Sequence, residues 1–188
     1  MVIASVKEVS AGCFKITAST GPSFFIRASY LSLVSVSDLI PEAEFIEDKE
    51  NDILNAGLAF AAEKKAVDYL ARAEQSRSGL LKKLSAKGFA RESIETALDY
   101  LESISYLSDS RFARAWLNNR KIAHAEGRTR LASELAARGI SRTDADSALN
   151  DYFEQNDEKS LCLRALRKCF RLKKTPEKIQ NYLMQSGF

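Results

Sequence analysis

Several residue types are scarce in this 188-residue sequence, which contains one histidine, one tryptophan, two methionines, three prolines and three cysteines. So few potential ligands, with the cysteines at positions 13, 162 and 169, argue against a zinc site and a disulfide framework. No run approaches the roughly 20 apolar residues of a membrane-spanning helix, and the N-terminus lacks the basic and apolar leader of a secreted protein. We therefore expect a cytoplasmic protein with no metal, no cofactor and no membrane contact.

Motifs for nucleotide binding and catalysis are also missing. The sequence has no phosphate-binding GxxxxGK[ST] loop and no GxGxxG dinucleotide fingerprint. His124 alone could act as the base of a catalytic triad, and its surroundings, AHAEGR, contain no nucleophile motif. We therefore expect no catalytic residues and conclude that the chain is not an enzyme.

A helical pattern that occurs three times is the main feature that the sequence does contain. Leu80 and Leu84 lie one helical turn apart and precede Gly88, which stands where a left-handed helix cap is expected. The same arrangement returns before Gly139, 51 residues later, and before Gly187, a further 48 residues on. A recurring unit of this size is typical of helical repeat proteins. The sequence therefore predicts a mainly α fold of tandem three-helix repeats.

These repeats divide the chain into four parts. Residues 1–50 should form a small β-rich region, with strands in VIASV, CFKIT and FFIR. A sheet this short has little stability of its own and should pack on the first helices. Helical repeats are predicted over residues 51–107, 108–156 and 157–188, and the third repeat has only two helices.

The start and the apolar face of the first long helix can be predicted from its sequence. Asn51 or Asp52 is the expected N-cap, and the helix should run to about Arg77. Leu54 and Leu58 fall on its predicted apolar stripe.

Later helices carry clearer capping residues. Ser108 or Asp109 should cap the first helix of the second repeat, and Ser141 should cap the third. Thr175 precedes a proline, as at many helix starts. We expect Trp116 and Ile122 to lie on a core-facing arc, with Trp116 as a packing anchor.

The net charge of +3 conceals a gradient along the chain. Residues 1–60 carry 4 basic and 8 acidic side chains, whereas residues 61–188 carry 24 and 17. The last 30 residues have 8 basic side chains and one acid, Glu177. Such asymmetry favours an anionic partner for the C-terminal part. The candidate partner-binding residues are Arg111, Arg114, Arg120, Lys121, Arg128, Arg130, Arg138, Arg164, Arg167, Lys168, Arg171, Lys173 and Lys174.

The order and spacing of several short motifs carry a family resemblance over residues 51–188. In the first repeat a leucine-rich helix ends in Lys-Gly-Phe, and in the second an acid precedes a Phe-Ala helix and Gly-x-x-x-Leu precedes Gly-Ile. These motifs are Lys87-Gly88-Phe89, Asp109 with Phe112-Ala113, Gly127 with Leu131, and Gly139-Ile140. On them, the chain resembles the RecX regulators of the bacterial RecA recombinase.

The resemblance implies both an architecture and a function. Tandem three-helix repeats in this family form an elongated, curved body that binds the RecA filament on single-stranded DNA. Its members are non-enzymatic modulators, most often negative, which depress ATPase and strand exchange or block filament extension in DNA repair, recombination and the SOS response. We expect a monomer that touches single- or double-stranded DNA weakly. The third repeat departs from the family pattern, because its usual last helix is absent here.

Two other classes of function remain open from the sequence. One is direct, nonspecific DNA or RNA binding through a helix-turn-helix, although the helices after Gly88 and Gly139 are too acidic to suit a groove. The other is a helical scaffold for protein partners.

Overall fold

The structure is a computed structural model that describes all 188 residues. It divides into two compact units. The N-terminal unit contains Met1–Arg72 and Leu80–Tyr106, and the C-terminal unit contains Ala73–Gly79 and Leu107–Phe188.

The chain begins with three strands and continues with eight α-helices, which confirms the mainly helical fold with a small N-terminal sheet. The strands are β1 (Ile3–Ser10), β2 (Cys13–Ala18) and β3 (Phe24–Arg27). The helices are α1 (Glu47–Leu70), α2 (Arg77–Ser85), α3 (Arg91–Ser103), α4 (Asp109–Ala123), α5 (Arg128–Ala136), α6 (Arg142–Gln155), α7 (Glu158–Arg171) and α8 (Pro176–Gln185). None of these helices is long and apolar enough to cross a membrane.

The sheet is antiparallel, with strand order β1-β2-β3, and it packs on α1 as the sequence predicts. One inward-facing isoleucine from each strand, Ile3, Ile16 and Ile26, is fully buried in the same core as Ile53 of α1. Together these residues remove from water the apolar face that a three-stranded sheet cannot cover by itself.

The prediction for the ends of α1 was wrong. The helix begins at Glu47, with Ile46 as N-cap, and ends at Leu70. Acidic side chains in its first turn favour the earlier start because they complement the helix dipole. Asp52, predicted as a cap, lies inside the helix, where its carboxylate accepts the backbone N–H groups of residues 32–34.

The predicted apolar stripe of α1 was also partly wrong. Leu54 and Leu58 are 41% and 52% exposed, whereas Ala56, Ala59 and Ala62 are buried. Alanine has no bulky side chain, so the helix approaches the sheet and α3 closely along its alanine face. The sequence periodicity predicted that the larger leucines face the core, whereas close packing places the smaller alanines there.

A buried ion pair joins the sheet to α1. Arg27 at the end of β3 binds Glu63 through its Nε, 2.9 Å from Oε2, and through its Nη2. The hydroxyl of Tyr30 donates a third hydrogen bond to Glu63, 2.7 Å away. The Arg27 guanidinium also lies 4.1 Å from the centre of the Tyr100 ring on α3. The buried carboxylate of Glu63 is therefore fully partnered.

In the C-terminal unit, α4, α5 and α6 enclose a second core. Leu117, Leu135 and Leu149 are buried in it, and Trp116 packs against it while half-buried, as predicted. Ile122 was wrongly placed on the core-facing arc, because it is 81% exposed. It follows Leu117 by five residues, which turns it about 140° around the helix.

Predicted helix caps in this unit agree with the structure. Ser108 and Ser141 accept the N–H groups of Arg111 and Asp144 through their side chains, at 3.2 and 3.1 Å. Thr175 is the N-cap of α8, followed by the proline, although its side chain makes no capping hydrogen bond.

Candidate functional site: a cationic cleft

Most of the predicted basic residues in the second repeat, α4 to α6, are neutralised within the protein. Arg120 forms two hydrogen bonds to Glu126, of 2.7 and 2.9 Å. Arg120 and Arg138 also stack on the Trp116 ring, at 5.3 and 4.6 Å from its centre. Cation-π contacts hold both guanidinium groups in place, and bidentate pairing with Glu126 further fixes that of Arg120.

A single carboxylate in α5 neutralises two more arginine charges. Glu134 pairs with Arg130 at 2.6 Å and with Arg138 at 2.7 Å. The hydrogen bond from Arg138 lowers the pKa of Glu134, and the charge of Arg130 adds to this effect. The carboxylate therefore stays ionised, and these two arginines have little charge left for an external anion.

The remaining arginines of the second repeat are dispersed, and each has a partner. Arg111 pairs with Glu74 at 2.9 Å, and Arg114 pairs with Asp151 at 2.8 Å. Arg128 differs because its partners are neutral. These are the side-chain oxygen of Asn150, 2.7 Å away, and the ring of Phe153, 6.0 Å away.

In the third repeat, Arg164 fastens α7 to the end of α4. Its Nη2 donates to the carbonyl of Lys121, 3.0 Å away, and to the carbonyl of His124. The last carbonyls of a helix have no partner within the helix, so Arg164 satisfies two of them. A cleft lies between α7 and the end of α4.

That cleft is lined on one wall by the basic side of α7. It has a volume of 340 Å³ and is closed by Ile122 and residues 123 and 125 on the α4 side and by Tyr182 of α8. A second cleft of 490 Å³ shares Lys168 and Tyr182, and Arg130, His124 and the paired Arg120 and Glu126 also line it. We call the two together the cationic cleft. Its α7 wall consists of Arg164, Arg167, Lys168 and Arg171.

Three of these cations, Arg167, Lys168 and Arg171, are exposed and make no ion pair. Comparison with the second repeat gives the reason for Lys168. The 48-residue offset between Gly139 and Gly187 places Lys168 at the position of Arg120, Lys174 at that of Glu126 and Tyr182 at that of Glu134. The third repeat therefore has neither of the acids that hold Arg120, Arg130 and Arg138 in the second repeat.

The segment after α7 adds further charge to this region. Lys173 is exposed and has a left-handed backbone conformation, with φ of 50°. The Lys174 ammonium lies 4.0 Å from the centre of the Tyr182 ring. Tyr182 and His124 line the cleft but were not predicted as site residues. The sequence does contain a signal for Tyr182, because the equivalent position of the second repeat is an acid, Glu134.

Comparisons with known proteins agree with this architecture. Residues 62–101 match the family model for the first three-helix domain of RecX, and residues 108–149 match that for the second. The regulatory protein RecX of Treponema pallidum (strain Nichols) is 41% identical over 129 residues, which span 69% of this chain and 79% of that protein. The chain belongs to the RecX family. Clostridioides difficile (strain 630) has a RecX protein that is 26% identical and is matched over 100% of this chain and 90% of its own.

Solved RecX structures share the fold. A crystal structure of regulatory protein RecX superposes with a TM-score of 0.77 at 23% identity, over 100% of this chain and 94% of the other. RecX from Lactobacillus salivarius gives a TM-score of 0.59 at 18% identity, over 70% and 88%. The two matched family domains end at residue 149, before α7 and α8.

Membership of the RecX family assigns a regulatory role to this chain. Its relatives are named as regulatory proteins and are not known enzymes. Arg167, Lys168 and Arg171 in the third repeat are exposed and have no acidic partner, so we take the cationic cleft as the candidate site of regulation.

Proposed function

We propose that this protein is a non-enzymatic negative regulator of the RecA recombinase. In this proposal it binds as a monomer, in the cytoplasm, to RecA filaments on single-stranded DNA. It lowers their ATPase and strand-exchange activity or stops filament extension. The observation that carries the proposal is the cluster of unpaired cations on α7, in a family of regulatory proteins.

Electrostatics supports an anionic partner for this surface. Arg167, Lys168 and Arg171 project along one side of a 14-residue helix without a neutralising acid. An arginine fork matches carboxylate and phosphate oxygens, whereas lysine acts as a point charge. A filament that contains a polyanion repeats its charges along its axis, which suits a surface of several weak contacts.

A second candidate function is binding of bare single-stranded nucleic acid. Tyr182 favours it, because its ring lines a cleft whose other wall is cationic. Aromatic rings beside basic grooves are a common arrangement in proteins that bind single strands without sequence preference. Both candidate functions predict that binding weakens steeply as the salt concentration rises, so salt dependence alone does not separate them.

A binding experiment separates the two candidates. A fluorescent single-stranded oligonucleotide, bare or coated with the cognate RecA, is titrated with this protein and followed by anisotropy at two salt concentrations. The proposal predicts tighter binding to the coated strand. Equal affinity for the bare strand would favour the second candidate and count against RecA as the target.

A charge-reversal variant tests whether the cationic cleft makes the contact. Replacing Arg167, Lys168 and Arg171 by glutamate should abolish filament binding without loss of helical content, because all three side chains are exposed. The matched control carries the same change of charge at exposed lysines of the N-terminal unit, namely Lys64, Lys82 and Lys87. If the first variant binds the filament as tightly as the unmodified protein, the cationic cleft does not make the contact.

A further inference from the structure

A separate cleft of 400 Å³ lies within the N-terminal unit, between α1 and the start of α3. Its polar lining comes from Ser32, from Asp52 and Asn55 of α1, and from Glu92 and Ser93 of α3. The first repeat has all three of its helices, α1 to α3, and none of them covers this cleft. We call it the acidic cleft.

Two acids and no basic side chain line the acidic cleft. Asp52 accepts the backbone N–H groups of residues 32–34, which fix its carboxylate in place. The Glu92 carboxylate is exposed and makes no ion pair, whereas the neighbouring Arg91 pairs with Glu95 at 2.8 Å. The N-terminus of α3 contributes about half a positive charge, which is less than the charge of the two carboxylates. The cleft therefore favours a cation.

A buried hydroxyl without a partner also lines the acidic cleft. Ser93 is 7% exposed, and its side chain makes no hydrogen bond within the protein. Buried polar groups almost always have a partner, and each exception needs an explanation. The side chains of Ser32 and Asn55 are exposed and also make no hydrogen bond. Neutral acceptors and carboxylates thus converge on one cleft, which suits a cation with several hydrogen-bond donors.

Exposed leucines border the acidic cleft. Leu58 lines it and is 52% exposed, and Leu54, one helical turn earlier on α1, is 41% exposed. Leu33 is 60% exposed, and its N–H group binds the Asp52 carboxylate at 2.9 Å. Exposed apolar surface with polar neighbours marks an interaction site in soluble proteins. A small free cation would leave these leucines in water, so a protein partner fits the surface better.

We propose that the acidic cleft is a docking pocket for an arginine side chain of a partner protein. A guanidinium group carries five donors in a planar fork, which matches the carboxylates and neutral acceptors of the cleft. Apolar side chains beside that arginine pack on Leu54 and Leu58. A metal ion fits less well, because no group of three or more histidine, cysteine, aspartate or glutamate side chains could hold one. This inference goes beyond the proposed function and does not depend on RecA, because none of its residues belongs to the cationic cleft.

The probe for this pocket is the blocked peptide acetyl-Leu-Arg-Leu-amide, which presents one arginine between two apolar side chains. The peptide is titrated into the full chain, without RecA or DNA, and the backbone and side-chain amides of the protein are followed by NMR. The proposal predicts saturable shifts of the Ser93 and Asn55 signals. The absence of these shifts at millimolar peptide would overturn the proposal.

A second peptide, with citrulline in place of arginine, keeps the shape of the side chain and loses its charge. It should bind at least tenfold more weakly, because each of two carboxylates would lose the attraction of a charge pair about 4 Å apart in water. Equal binding of the two peptides would show that the leucines alone make the contact and would overturn the assignment of an arginine.

A substitution at Glu92 tests the charge of the pocket. Glu92→Gln should weaken binding of the arginine peptide about fivefold, which is the loss of one such charge pair. The matched control is Glu47→Gln, because Glu47 is also an exposed acid in the first turn of a helix but does not line the cleft. Equal weakening by both substitutions would mean that overall charge attracts the peptide, and the pocket would be refuted.

A substitution at Ser93 separates binding from stability. Ser93→Ala should weaken binding of the arginine peptide without lowering the Tm, because the Ser93 hydroxyl makes no hydrogen bond in the free protein. Unchanged affinity would contradict the role of this hydroxyl in the pocket. Sedimentation of the full chain tests the other occupant. Self-association that Glu92→Gln abolishes would place an arginine of a second copy in the cleft and would overturn the choice of a partner protein.

Discussion

Two substitutions, Lys174→Glu and Tyr182→Glu, would give the third repeat acids at the positions where acids neutralise arginines in the second repeat. In the second repeat Glu126 and Glu134 hold three arginines, and the equivalent positions beside the cationic cleft now carry a lysine and a tyrosine. The double variant should therefore close the cleft to anions while it preserves the fold.

The size of the effect follows from simple electrostatics. One carboxylate about 4 Å from a cation in water contributes about 1 kcal/mol of attraction. Two such carboxylates would offset about 2 kcal/mol of anion binding, which corresponds to roughly 30-fold lower affinity. Masking two of the four cations on the α7 wall should also reduce the slope of log affinity against log salt by about 1.4 if the anion is single-stranded DNA.

Anisotropy titrations of RecA-coated single-stranded DNA at several salt concentrations measure both quantities. The control variant, Lys159→Glu with Thr175→Glu, changes the net charge equally at exposed positions that do not line the cleft. We expect it to lose much less affinity. Equal losses in the two variants would mean that overall charge drives binding, and the argument from the repeat comparison would be refuted.

Three further predictions concern the stability of the two units. Gly187→Ala should destabilise the protein by about 2 kcal/mol or more, because φ is +86° and the new Cβ would meet the α5 backbone at 2.5 Å. Glu63→Gln should cost about 3–5 kcal/mol by leaving Arg27, whose side chain is only 16% exposed, without its counter-ion, and Arg27→Met with Glu63→Leu should recover most of that loss. Glu134→Gln should destabilise at neutral pH. That deficit should vanish as the pH falls, because the lowered pKa of Glu134 gives stability that is present above its ordinary value of 4.5 and is lost on acidification through the folded value.

Thermal and urea unfolding measure all three effects. Gly88→Ala is the control for the first, because it has the same φ of +86° but no atom within 4 Å of the new Cβ. Equal losses at Gly187 and Gly88 would show that the close packing contributes nothing. A double variant of Arg27 and Glu63 that is no more stable than Glu63→Gln would contradict the ion-pair argument. A Glu134→Gln deficit that does not shrink as the pH falls below the ordinary pKa of 4.5 would contradict the assigned role of the Glu134 carboxylate.

Local sequence signals were sufficient for most of the fold. Ser141 was predicted as the N-cap of the third helix of the second repeat, and its side chain caps α6 in the structure, because a serine at a helix start accepts a backbone N–H of the first turn. The start of α1 could not be predicted in the same way. Its N-cap is an isoleucine without a capping side chain, and the carboxylate of Asp52 serves a loop 20 residues earlier. Tertiary contacts, rather than local preference, set that boundary.

The candidate site, like the fold, could be predicted only in part from the sequence. Arg120 and Arg167 look alike in the sequence, and both belong to the same basic set. Only the structure shows that Arg120 is held by Glu126 whereas Arg167 makes no ion pair. Part of this difference could be predicted from the sequence, because the 48-residue repeat offset aligns Lys174 with Glu126. Side-chain pairing within a repeat depends on distances that periodicity alone does not give.

In the proposed function, the cations of the third repeat restrain RecA. The most direct measurement is the steady-state ATPase rate of the cognate RecA on single-stranded DNA, titrated with this protein at two salt concentrations. The proposed function predicts a dose-dependent fall of the ATPase rate at substoichiometric protein. That fall should be relieved by salt and should be absent with the variant in which Arg167, Lys168 and Arg171 are glutamate. An unchanged ATPase rate while filaments are shown to be present would contradict the proposed function.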